Sequence, residues 1–318
     1  MKRIVGIEGE KISGAIAPMA ATLSERAPFD DPKWIFEIKW DGYRAIAVIN
    51  HQKGNKLYSR NGVSFASKFK KVFDALNRIE VDTIIDGEIV VYGKNGKPSF
   101  GDLQNYRNND KVIIQYQVFD CLSYKGKSLI DKPLFERKAL LKKIIPKDLS
   151  LILTYLDHID SDGISFFNEV LKLDLEGIIA KRKNSLYEPG KKSRNWLKIK
   201  NIKTQEAIIV GYTPPEGSRK NFGALLLAVM QLNELVYIGS VGTGFKDRDL
   251  KIIYEKLRRI GQKASPLKKT ARVPKGTMWV DPILVCNITY SELTSKGIVR
   301  HPAFQGLRMD KNPQEVKF

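Results

Sequence analysis

One short segment centred on a lysine carries the residues best suited to covalent chemistry. In Glu37-Ile38-Lys39-Trp40-Asp41-Gly42-Tyr43-Arg44, the lysine is followed by an acid at +2, a glycine at +3 and an arginine at +5. A lysine amine that a tight turn holds beside a phosphate can attack phosphorus, provided that nearby cations or burial keep part of it neutral. The alternative interpretation is a surface lysine in a β-hairpin that turns at Asp41-Gly42.

Two further acidic and glycine pairs accompany β-rich runs. In IDGEIV, Glu88 follows a predicted turn and enters a strand. From there its carboxylate could accept a hydrogen bond from a ribose hydroxyl or approach a metal ion. Glu176 precedes the run GIIAKR, and in WLKIK the alternation of a strand places Lys198 and Lys200 on one face. Each feature alone also fits a turn or a solvated face. Together they supply the attack, metal binding and charge neutralisation of a phosphoryl-type transfer.

The elements that must position these residues alternate without a strict βαβ order, which predicts an α+β fold with largely antiparallel sheets. The opening, through Asp31, reads as extended chain with turns. Residues 34–49 predict two strands around the Asp41-Gly42 turn. An apolar stripe predicts an amphipathic helix over 65–79. Two more helices are predicted over 133–145, with Pro133 in its first turn, and over 162–174.

From about residue 200 the pattern changes to β-rich segments with a single helix. That helix is predicted over 247–261, with Asp247 as its N-cap and with Leu250, Ile253, Tyr254 and Leu257 facing inward. Five strands with one helix after the third is the element order of an oligonucleotide-binding (OB) β-barrel. The sequence therefore predicts two domains, residues 1–201 and 202–318. The five strand-like segments are 206–213, 224–231, 235–242, 272–280 and 284–293.

The charge balance narrows the class of partner. The 318 residues include 54 Lys+Arg against 35 Asp+Glu, a net charge of +19, which favours nucleic acid or an anionic membrane surface. No apolar run is long enough for a membrane span, and we expect a cytoplasmic protein. Cys121, Cys286 and the three histidines have no metal-binding spacing, which argues against zinc, a disulfide framework and Cys/His catalysis.

The order of the segments KWDGYR, SRNG, DGEIVVY, YQVFDCL, EGIIAKR and WLKIK resembles the six nucleotidyltransferase motifs of ATP-dependent DNA ligases. The tail RHPAFQGLRMDK is similar to the motif that ends a ligase barrel domain, so the resemblance covers nearly the whole chain. The forms WDGYR, GYTPPEGSRKNFGALLLAV, GSVGTGF and FQGLR are most similar to the ligase modules of bacterial end-joining enzymes of the ligase D type.

This resemblance implies an antiparallel nucleotidyltransferase (adenylation) domain followed by an OB-fold domain, with ATP and Mg²⁺ as cofactors and Mn²⁺ as a substitute. It implies that Lys39, in one motif with Asp41, attacks the α-phosphate of ATP and retains AMP covalently. The other implied contacts are Glu37 at the adenine amine, Phe119 stacked on adenine, Glu88 at the ribose and metal, Arg44 and Arg60 at the ribose and nick phosphate, Glu176 at the metal, Lys198 and Lys200 at the α-phosphate, and Arg308, Asp310 and Lys311 over the β,γ-phosphates.

Nicked double-stranded DNA is the implied partner. Residues 181–203 hold nine basic side chains against one acid, Glu188, and predict a basic loop along the DNA backbone whose binding weakens with salt. A merely solvated loop is the alternative. We expect a monomer. Because 33 residues precede Trp34, we expect it to bind DNA with its two domains alone unless a partner such as Ku recruits it. The predicted DNA contacts are Arg44, Arg60, Lys181, Arg182, Lys183, Lys191, Lys192 and Arg194.

Three alternative functions and two alternative residue roles stay open at this point. The same motifs occur in RNA ligases and in mRNA-capping guanylyltransferases, which differ in the nucleotide or in the strand used. A non-catalytic nucleic-acid-binding protein would keep the basic surface without turnover. Phe119 could be an ordinary core aromatic, and Lys311 a solvated lysine of the tail.

Overall fold

The computed structural model describes residues 11–93, 96–108, 112–149, 151–215, 217, 220–267, 273–294 and 296–318. The first ten residues of the predicted extended opening, and the start of the strand predicted over 272–280, lie outside them. The chain divides into two compact units between Lys200 and Asn201. That these units are the functional domains 1–201 and 202–318 stays a prediction. No helix in the described ranges is long and apolar enough to cross a membrane.

The first unit is built on two sheets. The strands of the first sheet are β1 (Ala20–Leu23), β2 (Trp34–Ile38), β9 (Ile159–Asp160), β10 (Gly177–Arg182) and β11 (Lys192–Lys200), in the order β1-β11-β10-β2-β9. Those of the second are β3 (Tyr43–Ile49), β4 (Lys56–Ser59), β5 (Thr83–Tyr92), β6 (Ile113–Tyr124) and β7 (Lys127–Ser128), in the order β4-β3-β5-β6-β7, with β8 (Leu153–Tyr155) beside β6. All pairs are antiparallel except β1 with β11 and β6 with β8. The α+β fold class with antiparallel sheets is confirmed.

Four helices accompany these sheets in the described part of the unit. They are α1 (Lys70–Leu76), α2 (Phe100–Gln104), α3 (Leu134–Ile144) and α4 (Gly163–Lys172), with a 3-10 turn at Lys147–Leu149. The predicted start of α1 at residue 65 is wrong, because the Phe65 amide donates to Leu57 O at 2.7 Å and ties that residue to β4. Pro133 precedes α3 as its N-cap residue and is not inside the first turn. Asp162 caps α4 by accepting a hydrogen bond from the Ser165 amide.

Strands β2 and β3 do not form the expected hairpin. They belong to different sheets, and residues 39–42 are the link between the two. The turn predicted at Asp86-Gly87 is also wrong, because both residues lie inside β5. Glycine is required at position 87, since a Cβ there would stand 2.5 Å from Gln117 O and 2.6 Å from the Tyr116 ring. Lys39 therefore lies where the chain crosses from one sheet to the other.

The alternation of side chains along β3 explains how the layers are held together. Ala45, Ala47 and Ile49 point into a core that packs the second sheet against helices α1 and α3. Ile46 points to the other side, into a cluster that joins residues of both sheets and includes Phe119 and Trp196. Helix α4 covers the outer side of the first sheet, with buried residues such as Phe167 and Val170. The space between the two sheets is therefore lined partly by apolar groups.

The second unit has the strand order of an OB barrel. The elements are β12 (Lys203–Tyr212), β13 (Leu225–Gln231), β14 (Glu234–Val241), α5 (Asp247–Arg259), β15 (Gly261–Gln262), β16 (Met278–Tyr290), β17 (Glu292–Leu293), β18 (Val299–Arg300), β19 (Ala303–Arg308) and a 3-10 turn at Pro313–Glu315. The sheet order is β14-β13-β12-β16-β15, and β19 also pairs with β16. The Phe304 amide donates to Thr243 O at 2.9 Å, which brings β19 to the end of β14. The predicted OB-fold is confirmed.

Two details of this unit correct the sequence-based prediction. One strand, β16, contains the end of the fourth predicted strand and most of the fifth, and residues 273–277 are not in a strand. The last barrel strand is β19, which was predicted only as a motif. Pro282 is tolerated inside β16 because the pairing with β12 skips from Trp279 to Leu284, so no ladder hydrogen bond needs its missing amide.

The single helix of the second unit begins as expected, although its cap is displaced by one residue. Lys246, not Asp247, is the N-cap residue of α5, and its amide donates to the Asp249 carboxylate at 3.4 Å. Ile253 and Leu257 are buried in the barrel core, and Leu250 and Tyr254 are partly buried against it. The inward stripe of the helix is therefore confirmed. Both cysteines of the chain are buried and free.

Candidate active site

A cavity of about 260 Å³ lies between the two sheets of the first unit. In the first sheet, Glu37, Ile179 and Lys198 lie side by side in register across β2, β10 and β11. In the second sheet, Arg44 on β3 faces Glu88 on β5. Because side chains alternate along a strand, each of these five residues points into the cavity from a fixed strand position. The predicted site residues that line the cavity are Glu37, Lys39, Arg44, Arg60, Glu88, Phe119, Lys181 and Lys198.

Lys39 is held at this cavity by its backbone and by its side chain. Its amide donates to Gly177 O at 2.9 Å, which fixes the first residue of the link to β10. Its amine forms an ion pair with one oxygen of Glu176, and the Lys200 amine lies 3.3 Å from the other oxygen. Glu176 and Lys200 thus join the site through Lys39 rather than by lining the cavity. Asp41 belongs to the same link.

Lys198 adds a further positive charge to this group. Burial, together with the nearby Lys200 and Lys39 cations, lowers the pKa of the Lys198 amine. Three lysines close enough to repel one another create a positive potential that one carboxylate offsets only in part. Such a cluster is suited to binding the negative charge of phosphate groups.

Gly42 allows the link between the sheets to pass close to β5. A Cβ at this position would collide with Ile89 O and stand 2.8 Å from Glu88 Cγ. Glycine is therefore needed for a close approach of two backbones, and this approach places the link containing Lys39 beside Glu88.

Glu88 is a buried acid of the cavity whose pKa is raised. Burial raises the pKa of its carboxyl from 4.5 to about 7, although Arg44 and Lys39 act in the opposite direction. Asp86 and Glu176 raise it further by repulsion. The carboxyl is therefore partly protonated near neutral pH, and a cation bound beside it would favour the ionised form.

Replacement of Glu88 with glutamine should reveal this shift as a pH-dependent change in stability. Above pH 7 the folded wild type must keep a buried carboxylate ionised, so Glu88→Gln should have the higher melting temperature at pH 8. As the pH falls through 7 toward 4.5, the folded wild type takes up the proton and the difference should shrink. Melting curves between pH 5 and 8 measure this, with the exposed Glu136→Gln as the matched control. A difference independent of pH would contradict the assignment.

The carboxylates of the site fit a metal ion that is shared with a substrate. The described residues contain no cluster of three or more His, Cys, Asp or Glu side chains that would form a cage made by protein alone. Mg²⁺, however, is usually bound by one or two carboxylates together with substrate phosphates. Glu88 and Glu176 interact electrostatically and provide such a pair.

Arg44 is fixed by a buried acid. Its guanidinium contacts both oxygens of Asp86, at 2.5 and 2.6 Å, and Asp86 also accepts a hydrogen bond from the Tyr187 hydroxyl at 2.6 Å. The guanidinium carbon lies 4.6 Å from the centroid of the Phe119 ring. The contacts with Asp86 thus fix the orientation of Arg44. The planar guanidinium group covers part of the Phe119 ring.

Phe119 and Lys181 form another wall of the cavity. The Lys181 amine lies 4.1 Å from the Phe119 ring centroid, 4.2 Å from that of Trp196 and 2.6 Å from Glu37 Oε2. Burial lowers the pKa of the Lys181 amine to about 8. Lys181 is only 2% exposed, unlike the surface residue that the predicted DNA contact assumed, and that contact stays a prediction. Its spacing of two from Ile179 on β10 was the signal that it faces the cavity.

A second buried lysine was missed entirely. Lys138 on α3 is 2% exposed, and its amine donates to Glu37 Oε1 at 2.6 Å. Its spacing from Leu134 and Leu141 is i, i+4, i+7, so it occupies the inner stripe of an amphipathic helix. A lysine in an apolar stripe was the available signal.

The basic segment predicted as a loop is divided among several elements. Arg182 ends β10 with its guanidinium 5.0 Å from the Trp34 ring centroid, and Lys183 forms an ion pair with Asp160 at 2.6 Å. Lys191 is exposed, 3.9 Å from Glu188. Lys192 and Arg194, on β11, are also exposed. Of the other predicted DNA contacts, Arg60 is exposed at the cavity and Arg44 is turned toward Asp86.

The predicted triphosphate contacts form a charge network within the second unit. Arg308, the last residue of β19, contacts Glu206 Oε1 at 2.8 Å and both oxygens of Asp310 at 2.7 and 2.9 Å. The Lys311 amine lies 3.4 Å from Glu206 Oε2. Lys311 is therefore part of a network rather than an isolated tail residue. Glu206, which was not among the predicted site residues, holds both cations.

Comparison with known proteins agrees with this geometry. Residues 18–200 match the model of the ATP dependent DNA ligase domain, and residues 218–311 match that of the ATP dependent DNA ligase C terminal region. The multifunctional non-homologous end joining protein LigD of Pseudomonas aeruginosa is 36% identical over 309 residues, which cover 95% of this chain. The chain spans only 36% of the length of that protein.

Two further relatives match this chain over nearly their whole length. The SPbeta prophage-derived DNA ligase-like protein LigB of Bacillus subtilis is 30% identical over 90% of this chain and 97% of its own. A mycobacterial DNA ligase D solved in complex with ATP and MES is 32% identical, with a TM-score of 0.56, over 95% of this chain and 98% of that one. The resemblance drawn from the sequence is confirmed. The chain belongs to the ATP-dependent DNA ligase family.

Proposed function

We propose that the chain seals nicks between a 5′-phosphate and a 3′-hydroxyl in duplex DNA at the expense of ATP. The reaction has three steps: transfer of AMP to Lys39, transfer of AMP to the 5′-phosphate, and attack by the 3′-hydroxyl. The observation that carries the proposal is the convergence of Lys39, Lys198, Glu88 and Phe119 on one cavity, with Glu176 bound to the Lys39 amine.

The first step uses each wall of the cavity. Phe119 stacks on the adenine, and Glu37 accepts a hydrogen bond from its exocyclic amine. Lys198 and Lys200 offset the charge on the α-phosphate. The Lys39 amine forms a bond to the α-phosphorus as the bond from phosphorus to pyrophosphate breaks, and the amine loses a proton. Glu176 contacts this amine and would accept that proton.

Mg²⁺, or Mn²⁺ in its place, would be held by Glu88 and Glu176 together with the nucleotide phosphates. The metal would supply Lewis-acid stabilisation of phosphoryl charge. The repulsion between the two carboxylates, which contributes to the raised pKa of Glu88, supports this assignment.

The second unit would contribute to the first step through Arg308, Asp310 and Lys311, which orient the β- and γ-phosphates. Two residues, Asn201 and Ile202, separate β11 from β12. We assign a hinge to residues 200–204, whose rotation would separate the first step from the two that act on DNA. Glu206 would hold the two cations until phosphate replaces it.

The pathway is proposed from the relatives. LigD proteins are named for non-homologous end joining, and we assign this chain to end joining or another DNA repair reaction. A monomer located in the cytoplasm, with Ku as a recruiting partner, completes the proposal.

Labelled nucleotides test the proposed reaction against its alternatives. The chain is incubated with α-labelled ATP or GTP and Mg²⁺, and is then offered nicked DNA or nicked RNA. The proposal expects label from ATP and sealing of DNA. Label from GTP alone would indicate a guanylyltransferase, and sealing confined to RNA would indicate an RNA ligase. An unlabelled chain that still binds nicked DNA would be a non-catalytic binding protein.

The exposed basic residues of β11 should contribute to DNA affinity through phosphates alone. We expect the double replacement Lys192→Ala, Arg194→Ala to weaken binding of nicked DNA equally for all sequences. The slope of log K against log salt should fall by about 0.9 for each phosphate that the variant no longer neutralises. Binding titrations at several salt concentrations measure this, with exposed Lys70→Ala, Lys172→Ala as the matched control. An unchanged slope would remove these residues from the DNA interface.

A further inference from the structure

Helix α3 carries two consecutive buried cations, Arg137 and Lys138, that contact carboxylates on different sheets of the first unit. The Arg137 guanidinium contacts both oxygens of Asp120, at 2.7 and 2.9 Å, and both residues are completely buried. Asp120 follows Phe119 on β6, in the second sheet. The Lys138 amine contacts Glu37 on β2, in the first sheet, and also donates to Leu156 O at 2.9 Å. Adjacent residues of one helix therefore link the two sheets beside the cavity.

The Glu37 carboxylate is fixed through both of its oxygens. Lys138 occupies Oε1 and Lys181 occupies Oε2, each at 2.6 Å. A carboxylate has about four lone-pair positions, so acceptor capacity remains for a ligand. Glu37 is 1% exposed and lines the cavity, so a hydrogen-bond donor can reach its free lone pairs only through the cavity.

Two buried cations around one carboxylate are not explained by stability alone. Replacement of a buried ion pair with apolar groups is often neutral or stabilising, so such groups are weak evidence for a structural role. What the arrangement does provide is an ionised carboxylate. Burial alone would raise the pKa of Glu37, but the charges of Lys138 and Lys181 outweigh it and lower the pKa. An ionised carboxylate accepts hydrogen bonds and cannot donate one.

We propose that Lys138 is a positioning residue that fixes the Glu37 carboxylate as an acceptor for the exocyclic amine of the nucleobase. Lys138 does not line the cavity and acts through Glu37. The exocyclic amine of adenine can donate a hydrogen bond to the carboxylate. Guanine has a carbonyl oxygen at the same ring position, which the carboxylate would repel. The inference rests on the proposed function, since it assigns the choice of nucleotide at the same site.

The test compares nucleotides that differ only in that amine. Single-turnover adenylation of the full chain is measured with ATP and with purine riboside 5′-triphosphate, which lacks the amine. A hydrogen bond to a charged group predicts that the wild type prefers ATP by roughly 10- to 100-fold. In Lys138→Met this preference should fall to within about threefold, through a raised KM for ATP and little change in KM for the analogue.

The control variants separate positioning from folding. Lys138→Arg keeps the charge and should keep most of the preference. Lys142→Met, one turn along α3 with its side chain 65% exposed, should match the wild type. Lys138→Gln replaces the cation with a neutral hydrogen-bond donor and should also lose the preference for ATP. It provides the test if Lys138→Met does not fold.

The possible outcomes distinguish failure of this inference from failure of the proposed function. An ATP preference that is unchanged in folded Lys138→Met, or in Lys138→Gln if the Met variant does not fold, would overturn the inference and leave the proposed function intact. A wild type that neither nucleotide labels would overturn the proposed function, and the inference with it. A wild type that both nucleotides label equally would show that Glu37 does not read the amine, and would overturn the inference alone.

Discussion

Replacement of Lys39 with alanine is expected to abolish labelling of the chain by AMP and to slow sealing of an ordinary nick on the order of 10⁴-fold or more. Loss of a covalent nucleophile removes the intermediate on which the first two steps depend. Lys39 lies in the link between β2 and β3, whereas Lys198 and Lys200 lie on β11, so neither of these lysines occupies its position. Gel assays of a 5′-phosphorylated nick, with α-labelled ATP, measure both effects.

The same variant should retain part of the final step. A nick that already carries AMP on its 5′-phosphate no longer needs a covalent lysine, so Lys39→Ala should still seal it and bind it. Lys33→Ala, an exposed lysine six residues earlier, is the matched control and should behave as the wild type. Undiminished labelling of Lys39→Ala would refute the nucleophile, and total loss of binding to DNA would indicate a folding defect instead.

Replacement of Arg137 with leucine is expected to have the largest effect on folding. It leaves the Asp120 carboxylate buried without its counter-ion, and removal of one partner of a buried pair costs about 3–5 kcal/mol. Arg137 also donates to Lys132 O and Ser185 O, at 2.5 and 2.9 Å, and the variant cannot form these bonds. Urea denaturation followed by tryptophan fluorescence measures the change, since three of the four tryptophans lie in the first unit.

A double replacement distinguishes the unpaired charge from reduced packing. Arg137→Leu with Asp120→Leu removes both charges and should recover much of the free energy of unfolding that the single change loses. A single variant within about 1 kcal/mol of the wild type would show that Asp120 finds another partner or takes up a proton. Equal loss in the single and double variants would assign the effect to packing.

Much of the site could be predicted from the sequence because strands present residues with a period of two. The spacing in WLKIK placed Lys198 and Lys200 on one face, and the structure has both on β11. The contacts of Lys39 with Glu176 join segments 137 residues apart, and only the resemblance to ligases brought them together. Which residue of a site performs which chemical step stays a prediction here.

The errors arose where pairing partners or burial decide the outcome. Alternation in residues 34–49 predicts two strands but not that they belong to different sheets, because the neighbours of β2 come from residues 159–182. Charge alone marks lysines as exposed, so the burial of Lys138 and Lys181 was not predicted. Their burial depends on Glu37, a partner distant in sequence. Local spacing can indicate that each lysine faces inward, but it does not identify the distant carboxylate that pairs with it.

The most direct test is the mass of the peptide that contains Lys39. The purified chain is incubated with ATP and Mg²⁺ and digested, and its peptides are compared with those of an untreated sample. We predict that this peptide gains the mass of one AMP group, that fragmentation places the group on Lys39, and that pyrophosphate releases it. A chain that gains no AMP under these conditions, or gains it on Lys198 or Lys200 instead, would contradict the assignment of Lys39 as the nucleophile.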